Sequence, residues 1–270
     1  MKKVRVAAFC FLSMALFVKA TPHDARRVSY DSFKFGKAYY HIVTADVRLA
    51  EVSAGTVHSK RLTNVRNLID DCQPTVAITG TFFAPGCQRP VADVLVDGQL
   101  VAKGCRGSVI AVDWFGKVHI FDSGWNQKLD WFGYRYALRG TVRLIRDGVV
   151  APNPRAQKFR DSRIWGRASR SAAGITADGQ LVLVVTPNSV TLSELGKAMK
   201  SRGVVNAVSL DGGGSTMMYY RGAYVVPVHR KLSNLLIVRE RPAGLNASVS
   251  SPTAPVVPSS AMPAGFIRSK

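Results

Sequence analysis

The chain has 270 residues, of which 47% are hydrophobic, and a formal net charge of +20 at pH 7. This length suffices for one sizeable core and does not require a second domain. The charge predicts attraction to polyanions, but there is no helix-turn-helix, zinc-finger or aromatic RNA-binding motif, so we expect no specific nucleic-acid function. Without Cys-x-x-Cys or His-x-x-x-His pairs we expect neither a metal site nor a cofactor.

Residues 1–20 have the layout of a secretory signal peptide. Basic residues precede the apolar run 6–18, and Val18-Lys19-Ala20 forms a small-residue cleavage site. The run is shorter than the roughly 20 apolar residues that span a bilayer, which favours cleavage after Ala20 over an uncleaved anchor. We therefore expect an exported protein, periplasmic or secreted, without an integral membrane span. Nothing in the sequence indicates the oligomeric state.

The first part of the remaining chain predicts strands around one helix. The alternation in AYYHIVTADV (38–47) and VRLAEVSA (47–54) is typical of strands. Apolar residues at helical spacing predict a helix over 60–71. PTVAITGTFF (74–83) indicates a buried strand that runs into a loop.

Four hairpins follow along the chain, each marked by a turn dipeptide. Their predicted turns are Asp97-Gly98, Phe115-Gly116, Asp147-Gly148 and Asp178-Gly179. Cys87 and Cys105 flank the first hairpin, so a disulfide between them is expected in an oxidising compartment. Cys72 is then either the odd thiol or the true partner of one of them, and buried thiols without any bridge remain an alternative.

An amphipathic helix begins after Thr191, where Thr191 and Glu194 form a capping box, and ends at Gly203. The buried strand VVNAVSL (204–210) then brings Asp211 to its end. Residues 242–270 are dominated by Pro, Ser and Ala, which predicts a flexible tail after a folded domain of residues 21–241. The expected fold class is α+β, a single domain of mixed, largely antiparallel β-sheets with a few flanking helices.

The segment SLDGGGSTMMYY (209–220) places one carboxylate, Asp211, beside three glycines. A Walker A loop would need a lysine before Ser215, and a nucleophile elbow would need a glycine where Met217 stands. The glycine spacing also differs from that of the dinucleotide-binding fingerprint. Two interpretations remain: a strand-end carboxylate beside N–H groups that bind an anion, or a tight turn.

AVSLDGGGSTMM (207–218) resembles the Asn-Leu-Asp-Gly-Gly-Gly-Ser motif of the phosphodiester glycosidase family. AITGTFF (77–83) is similar to its Asn-Gly-x-Phe-Phe segment, and RSAAGITADGQLVLVV (170–185) to its Arg-x-x-x-Gly block. HRKLSNLLIV (229–238) resembles its terminal Arg-x-x-x-Asn segment. The resemblance covers about residues 40–240 and implies cleavage of a sugar from a phosphodiester at the anomeric carbon. Thr79 and Ser209 stand where the family has asparagine.

The resemblance implies a catalytic set of Asp211, Arg170 and Arg230. Guanidinium groups suit phosphate bidentately, so both arginines are expected to bind it with help from main-chain N–H groups. Asp211 is expected to act as the nucleophile or as the base for water. Because a phosphate monoester departs as a stable anion, a strong general acid matters less than usual. The expected substrate-binding residues are Thr79, Gly80, Ser209, Gly212, Gly213, Gly214 and Ser215.

The expected function is therefore an exported glycosidase that hydrolyses sugar-1-phosphodiester linkages, with envelope or extracellular glycopolymers as the expected substrates. One alternative is a non-catalytic binding protein for anionic glycans or other polyanions, consistent with the basic surface. Another is a basic nucleic-acid or lipid-binding module in which the glycine loop is only a turn.

Overall fold

The structure is a computed structural model that describes residues 27–49, 51–84 and 89–241. The expected signal peptide, the expected tail and Cys87 lie outside the described residues.

Antiparallel strands make up most of the described chain. In chain order they are β1 (Val28–Phe35), β2 (Ala38–Ala45), β3 (Val52–Thr63), β4 (Val76–Thr79), β5 (Phe83–Ala84), β6 (Arg89–Pro90), β7 (Val94–Val96), β8 (Gln99–Ala102), β9 (Ser108–Asp113), β10 (Val118–Phe121), β11 (Tyr134–Arg146), β12 (Val149–Val150), β13 (Ala168–Thr176), β14 (Leu181–Val190), β15 (Val204–Ser209), β16 (Met218–Tyr220), β17 (Ala223–Val226) and β18 (Leu232–Glu240). The helices are α1 (Val65–Cys72), α2 (Ser162–Trp165) and α3 (Leu192–Lys200), with a 3-10 turn at Gly213–Ser215.

Two large sheets carry the fold. The larger has the order β1-β2-β14-β13-β15-β11-β7-β8, with β12 and the β9-β10 hairpin attached to β11. The smaller has the order β17-β16-β4-β18-β3, and β5 pairs with β6 separately. Every strand pair among the described residues is antiparallel. The expectation of largely antiparallel sheets with few helices is confirmed, whereas the parallel pairs that a mixed sheet requires do not occur in this part of the chain.

Turn chemistry explains this topology, because short hairpin turns join antiparallel neighbours directly. All four predicted hairpins are present, as β7-β8, β9-β10, β11-β12 and β13-β14. At the Asp97-Gly98 turn both residues have positive φ, +47° and +75°, as a type I′ turn requires.

Three apolar clusters hold the layers together: one lies between the two sheets, one under α3 and one under α1. The central cluster joins the facing sides of the sheets, with Leu183 and Val208 opposite Ile78 and Leu236. On the outer side of the larger sheet, Leu195 and Met199 of α3 pack against Leu144. On the outer side of the smaller sheet, Leu68 and Ile69 of α1 pack against Leu235 and Ile237. The result is a layered sandwich in which α3 covers the outer face of the larger sheet and α1 that of the smaller sheet.

The predicted start of α3 is confirmed, but α3 ends at Lys200, three residues before the predicted Gly203, and the predicted start of α1 is wrong. Thr191 and Glu194 form the expected capping box of α3. The earlier helix begins only at Val65, because residues 60–63 extend β3, where Thr63 pairs with Leu232. The Asn64 side chain then caps α1 by accepting the N–H of Arg66. Pairing with β18 therefore overrides the helical spacing of the preceding residues.

The loop after β15 connects the two sheets. Leu210 N–H donates to the carbonyl of Ser171 in β13, at 2.9 Å. Asp211 N–H donates to the carbonyl of Gly80, just after β4 of the other sheet, also at 2.9 Å. The chain then continues into β16 of the smaller sheet. Asp211 is thus held between the larger and the smaller sheet.

Candidate active site

Asp211 is a partly buried carboxylate at the end of β15. Its Oδ1 accepts the main-chain N–H of Gly212 at 2.9 Å. Within the described residues no basic side chain reaches it at salt-bridge distance. The carboxylate therefore sits between packed protein and an open pocket without a direct counter-charge.

This setting raises the pKa of Asp211 from 3.8 to about 6, chiefly through desolvation. The Gly212 N–H, Arg230 and Arg163 act in the opposite direction and partly stabilise the ionised form. The Ser215 hydroxyl is buried and has no hydrogen-bond partner among the described residues. A carboxyl group that titrates near pH 6 is mostly ionised at neutral pH and can accept a proton or attack an electrophile.

Arg170 lies on β13 next to the glycine loop and is only 4% exposed. Its Nε donates to the Val190 carbonyl at 3.3 Å, and its Nη2 donates to the Gly166 carbonyl. Burial lowers the pKa of Arg170, but a guanidinium keeps its charge over the physiological range. Carbonyl oxygens hold the group in place without neutralising it, so its positive charge remains available to an anion in the pocket.

Arg230 and Arg163 approach the pocket from other segments. Arg230 is exposed, its guanidinium stacks on the ring of Phe83 at 4.4 Å, and its Cδ lies close to Gly214. Arg163 lies in α2 and pairs with Asp161 at 2.5 Å. Both lower the pKa of Asp211 through their charge, which places them within electrostatic reach of the carboxylate.

These residues line one cavity of about 570 Å³, which we call the Asp211 pocket. Its charged lining consists of Arg106, Arg160, Arg163, Arg167, Arg170, Arg230, Asp161 and Asp211. Arg163 neutralises Asp161 and Arg167 pairs with Glu194 at 2.9 Å, but the set stays strongly positive. Phe82 and Phe159, in edge-to-face contact at 5.7 Å between ring centroids, supply an apolar wall. A volume of this size accommodates a small polar ligand, and the charge selects an anionic one.

The glycine loop contributes backbone to the pocket through Gly212, Gly213 and Gly214. The Gly212 N–H is already used by Asp211, and the Ser215 N–H donates to the Gly212 carbonyl at 3.1 Å. Among the described residues the N–H groups of Gly213 and Gly214 donate no hydrogen bond, so they are the ones left for an anion. Of the main-chain N–H groups in the glycine loop that we expected to bind phosphate, those of Gly213 and Gly214 are therefore the ones available in the described structure.

The structure places Thr79, Gly80 and Ser209 beneath the pocket rather than in its wall. Thr79 and Ser209 are each 1% exposed, and the Ser209 hydroxyl donates to the Leu210 carbonyl at 3.2 Å. Their replacement of the family's asparagines therefore falls on buried positions. The expected sugar contacts from these side chains find no support in this geometry, because neither residue lines the pocket.

Asn234 explains the glycine at position 80. Its Oδ1 accepts the Thr81 N–H at 2.7 Å, and its main-chain carbonyl accepts the Gly80 N–H at 3.1 Å. A Cβ at position 80 would lie 1.8 Å from Asn234 Oδ1, so only glycine fits. Asn234 thus fixes the segment whose carbonyl holds Asp211. It belongs to the Arg-x-x-x-Asn stretch of the sequence, but no role was assigned to it from the sequence.

Sequence reasoning also missed Arg106, Arg160, Arg163 and Arg167. The available signal was the basic stretch 135–170, which has ten Lys or Arg residues and only two acidic residues. Four of the six arginines that line the pocket, at positions 160, 163, 167 and 170, lie in this stretch. Because most charge runs are solvated faces, the sequence alone could not separate these from the rest.

The described residues contain neither a metal-ligand cluster nor a helix that could span a membrane. No group of three His, Cys, Asp or Glu side chains is arranged to hold a metal ion within these residues. None of the described helices is long and apolar enough to cross a membrane. Cys72 and Cys105 form no disulfide with any described residue, and Cys87 lies outside the described residues, so the Cys87–Cys105 disulfide stays a prediction.

A two-sheet fold that holds a strand-end carboxylate beside an arginine-lined pocket agrees with the family resemblance of the motifs. The family model for phosphodiester glycosidases matches residues 73–244, and the chain belongs to this family. Membership supports a glycosidase-type function.

Among its relatives is the mouse N-acetylglucosamine-1-phosphodiester alpha-N-acetylglucosaminidase, 26% identical over an alignment 186 residues long that covers 63% of this chain and 36% of the mouse protein. The chain thus matches only about a third of that relative's length.

Two solved structures share the fold. The zebrafish N-acetylglucosamine-1-phosphodiester alpha-N-acetylglucosaminidase catalytic domain, auto-inhibited by its pro-peptide, superposes with a TM-score of 0.65 at 20% identity, over 79% of this chain and 82% of that chain. A hypothetical protein from Synechocystis gives a TM-score of 0.61 at 15% identity, over 79% of this chain and 62% of that chain. At these identities the likeness concerns the fold alone.

Proposed function

We propose that the protein is a hydrolase that cleaves the bond between a sugar's anomeric carbon and the phosphate of a sugar-1-phosphodiester. The observation that carries the proposal is Asp211, a carboxylate with a pKa of about 6 in a pocket lined by six arginines. A carboxylate suits attack at an anomeric carbon, and arginines suit a phosphodiester anion. The combination fits a substrate that carries both groups.

In the proposed reaction the guanidinium groups of Arg170 and Arg230 hold the phosphodiester, assisted by the N–H groups of Gly213 and Gly214. Ionised Asp211 either attacks the anomeric carbon or takes a proton from a water molecule that attacks it. The anomeric carbon–oxygen bond breaks, and its electron pair stays on the phosphate oxygen. Fixed positive charge stabilises the monoester anion that leaves, which removes the need for a strong general acid. Water supplies the new hydroxyl of the sugar.

Export and a glycopolymer substrate are part of the same proposal. The layout of residues 1–20 supports export to the periplasm or the medium. A strongly basic protein attracts anionic polymers, and an exported one meets them in the cell envelope or outside it. The arginine excess of the pocket equally suits a protein that binds anionic glycans without cleaving them, so turnover is the property to measure.

The test is product analysis on a defined substrate, the methyl phosphodiester of α-N-acetylglucosamine, in water enriched in oxygen-18. The proposal predicts free N-acetylglucosamine that carries the label, together with unlabelled methyl phosphate. Release of methanol and sugar-1-phosphate would instead assign cleavage to the phosphorus–oxygen bond and overturn the mechanism. Binding without any product, across a panel of sugar-1-phosphodiesters that vary the sugar, would favour the glycan-binding alternative. An Asp211→Asn preparation serves as the control for contaminating activity.

A further inference from the structure

A second cavity, of about 670 Å³, adjoins the Asp211 pocket. We call it the Trp125 pocket and define it by Arg106, Asp122, Trp125, Arg143, Arg146 and Lys158, which lie in its wall. Arg106 lines both cavities, and the chain segment 156–161 lines the Trp125 pocket with residues 156–158 and the Asp211 pocket with residues 159–161. Since consecutive Cα atoms are about 3.8 Å apart, the two cavities are immediate neighbours.

Arg106 forms the shared wall. Its Nη1 donates to the Lys158 carbonyl at 2.6 Å, and its guanidinium lies over the Trp125 ring at 4.5 Å. No described carboxylate pairs with Arg106 or Lys158. Asp122, in contrast, is already bonded to Arg146 and lies 3.8 Å from Arg143. Asp147 also lines the pocket, and its Oδ1 accepts the side-chain N–H of Asn206 at 3.2 Å instead of forming an ion pair. Four basic side chains in the lining still outnumber the two acidic ones, and Arg106 and Lys158 lie on the side that faces the Asp211 pocket.

The loop that carries Trp125 is fixed from both sides. Ser123 Oγ donates to the Gly107 carbonyl at 2.6 Å, and Asn126 N–H donates to the Cys105 carbonyl at 2.7 Å. From below, buried Arg139 donates through Nε to Ser123 Oγ at 2.8 Å and through Nη2 to the carbonyl of residue 124 at 3.0 Å. Trp125 nevertheless remains 49% exposed. An exposed indole on an anchored loop offers a rigid surface to a ring-shaped ligand.

We propose that the Trp125 pocket binds the sugar-phosphate unit next to the scissile linkage, so that the protein acts preferentially on chains of phosphodiester-linked sugars. Trp125 contacts the sugar ring of that unit, and Arg106 and Lys158 attract its phosphate. This inference rests on the proposed function, since the Asp211 pocket has to hold the linkage that is cut. It adds a substrate class: oligomers with at least two sugar-1-phosphodiester units.

The kinetic test compares Trp125→Ala with Phe115→Ala. Phe115 is 95% exposed, lies at a hairpin turn and lines neither pocket, so it is a matched loss of a surface aromatic. On a three-unit oligomer, kcat/KM of Trp125→Ala should fall about tenfold below that of Phe115→Ala, which corresponds to about 1.4 kcal/mol. On the single methyl diester the two variants should agree within about twofold. Equal values on the oligomer would overturn the inference and leave the proposed function intact.

A binding test separates the inference from turnover. In an Asp211→Asn background, the affinity for the same oligomer should be about tenfold lower with Trp125→Ala than with Phe115→Ala. This comparison has an answer even if no sugar phosphodiester is ever cleaved. Inorganic polyphosphate of matched charge, which has no sugar ring, should bind both variants equally. If polyphosphate also loses affinity with Trp125→Ala, or if the oligomer does not, the pocket does not bind a sugar unit.

Discussion

Asp93 and Asp211 are two carboxylates that the same fold treats in opposite ways. Asp93 is 4% exposed, accepts the Gly104 N–H at 2.6 Å and pairs with buried Arg139 at 3.1 Å. Arg139 also donates through Nε to Ser123 Oγ and through Nη2 to a main-chain carbonyl. Asp211 receives one main-chain N–H and has basic side chains only at longer range. The first arrangement satisfies its charges within the protein, whereas the second leaves its charge incompletely compensated and open to a ligand.

The difference shows that Asp93 carries a charge that stabilises the structure, whereas Asp211 carries a charge that is available for a reaction. A buried ion pair whose two charges neutralise each other can hold a loop, here the one that carries Trp125, but leaves no uncompensated charge for a reaction. A partly desolvated carboxylate costs stability, and that cost is typical of functional sites. Substitutions at Asp93 and at Asp211 test this contrast, and we expect the first to affect mainly stability and the second mainly turnover.

The largest effect is expected from Asp211→Asn. The substitution keeps the shape of the side chain and removes the charge that attacks the sugar or activates water, so kcat should fall at least about 10³-fold, or about 4 kcal/mol. Steady-state release of free sugar from the methyl diester measures it. Turnover that survives within about tenfold would remove Asp211 from the mechanism and leave the glycine loop as a turn.

Asp93→Asn should act on stability. It leaves the Arg139 guanidinium buried without its counter-charge, which should lower the free energy of unfolding by about 3 kcal/mol. Urea denaturation followed by fluorescence measures the change. The matched control is Asp46→Asn, which breaks the exposed ion pair with Arg48 and should cost less than about 1 kcal/mol. Equal losses in the two variants would contradict the contrast between buried and exposed pairs.

Asp211→Asn should stabilise the fold at neutral pH, the reverse of Asp93→Asn. The pKa of Asp211 is raised from 3.8 to about 6, so the folded protein favours the protonated form. Well below pH 3.8 the Asp211 carboxyl is protonated in both the folded and the unfolded protein, so it does not destabilise the wild type. As pH rises from about 4 to 6, ionisation of Asp211 increasingly destabilises the folded wild type, and the effect is complete above about pH 6. The free energy of unfolding of Asp211→Asn should therefore exceed that of the wild type by about 1–3 kcal/mol at pH 7.5 and by little at pH 4. Urea denaturation at both pH values measures it, and a gain independent of pH would argue against desolvation of this carboxylate.

Arg230→Ala tests the long-range charge around Asp211 and should have the smallest effect. The side chain is exposed and stacks on Phe83, so its loss should spare the fold while weakening the grip on phosphate. We expect kcat/KM to fall about tenfold, or about 1.4 kcal/mol, with partial recovery in Arg230→Lys. Arg61→Ala removes the same charge from an exposed site outside the pocket. An equal decrease of kcat/KM in Arg61→Ala would mean that the effect comes from the net charge of the protein and not from Arg230 in the pocket.

Much of the fold was predictable from the sequence because its signals are local. A turn at Asp97-Gly98 or a capping box at Thr191 depends on residues within four positions of each other, and both are present. The start of α1 was misjudged because a long-range partner, Leu232, holds the end of β3 in a strand. Thr79 and Ser209 likewise do not line the pocket because the packing of the two sheets buries them, and that packing is not visible in the local sequence.

The pocket itself was only partly predictable. The motif around Asp211 identified the carboxylate, and the family resemblance identified Arg170 and Arg230. Arg163 and Phe82 come from separate segments that meet only after the sheets pair, so no local pattern connects them to Asp211. The role of Asn234 in fixing position 80 likewise depends on the pairing of β18 with β4.

The pH dependence of kcat/KM on the methyl diester tests most directly the claim that ionised Asp211 does the chemistry. This parameter reports ionisations of the free enzyme and free substrate, and the phosphodiester keeps one charge over the range of interest. We predict that kcat/KM falls as pH decreases through about 6, following protonation of a carboxyl group whose pKa desolvation has raised. A profile that stays flat down to pH 4.5, in a protein that remains folded there, would contradict it.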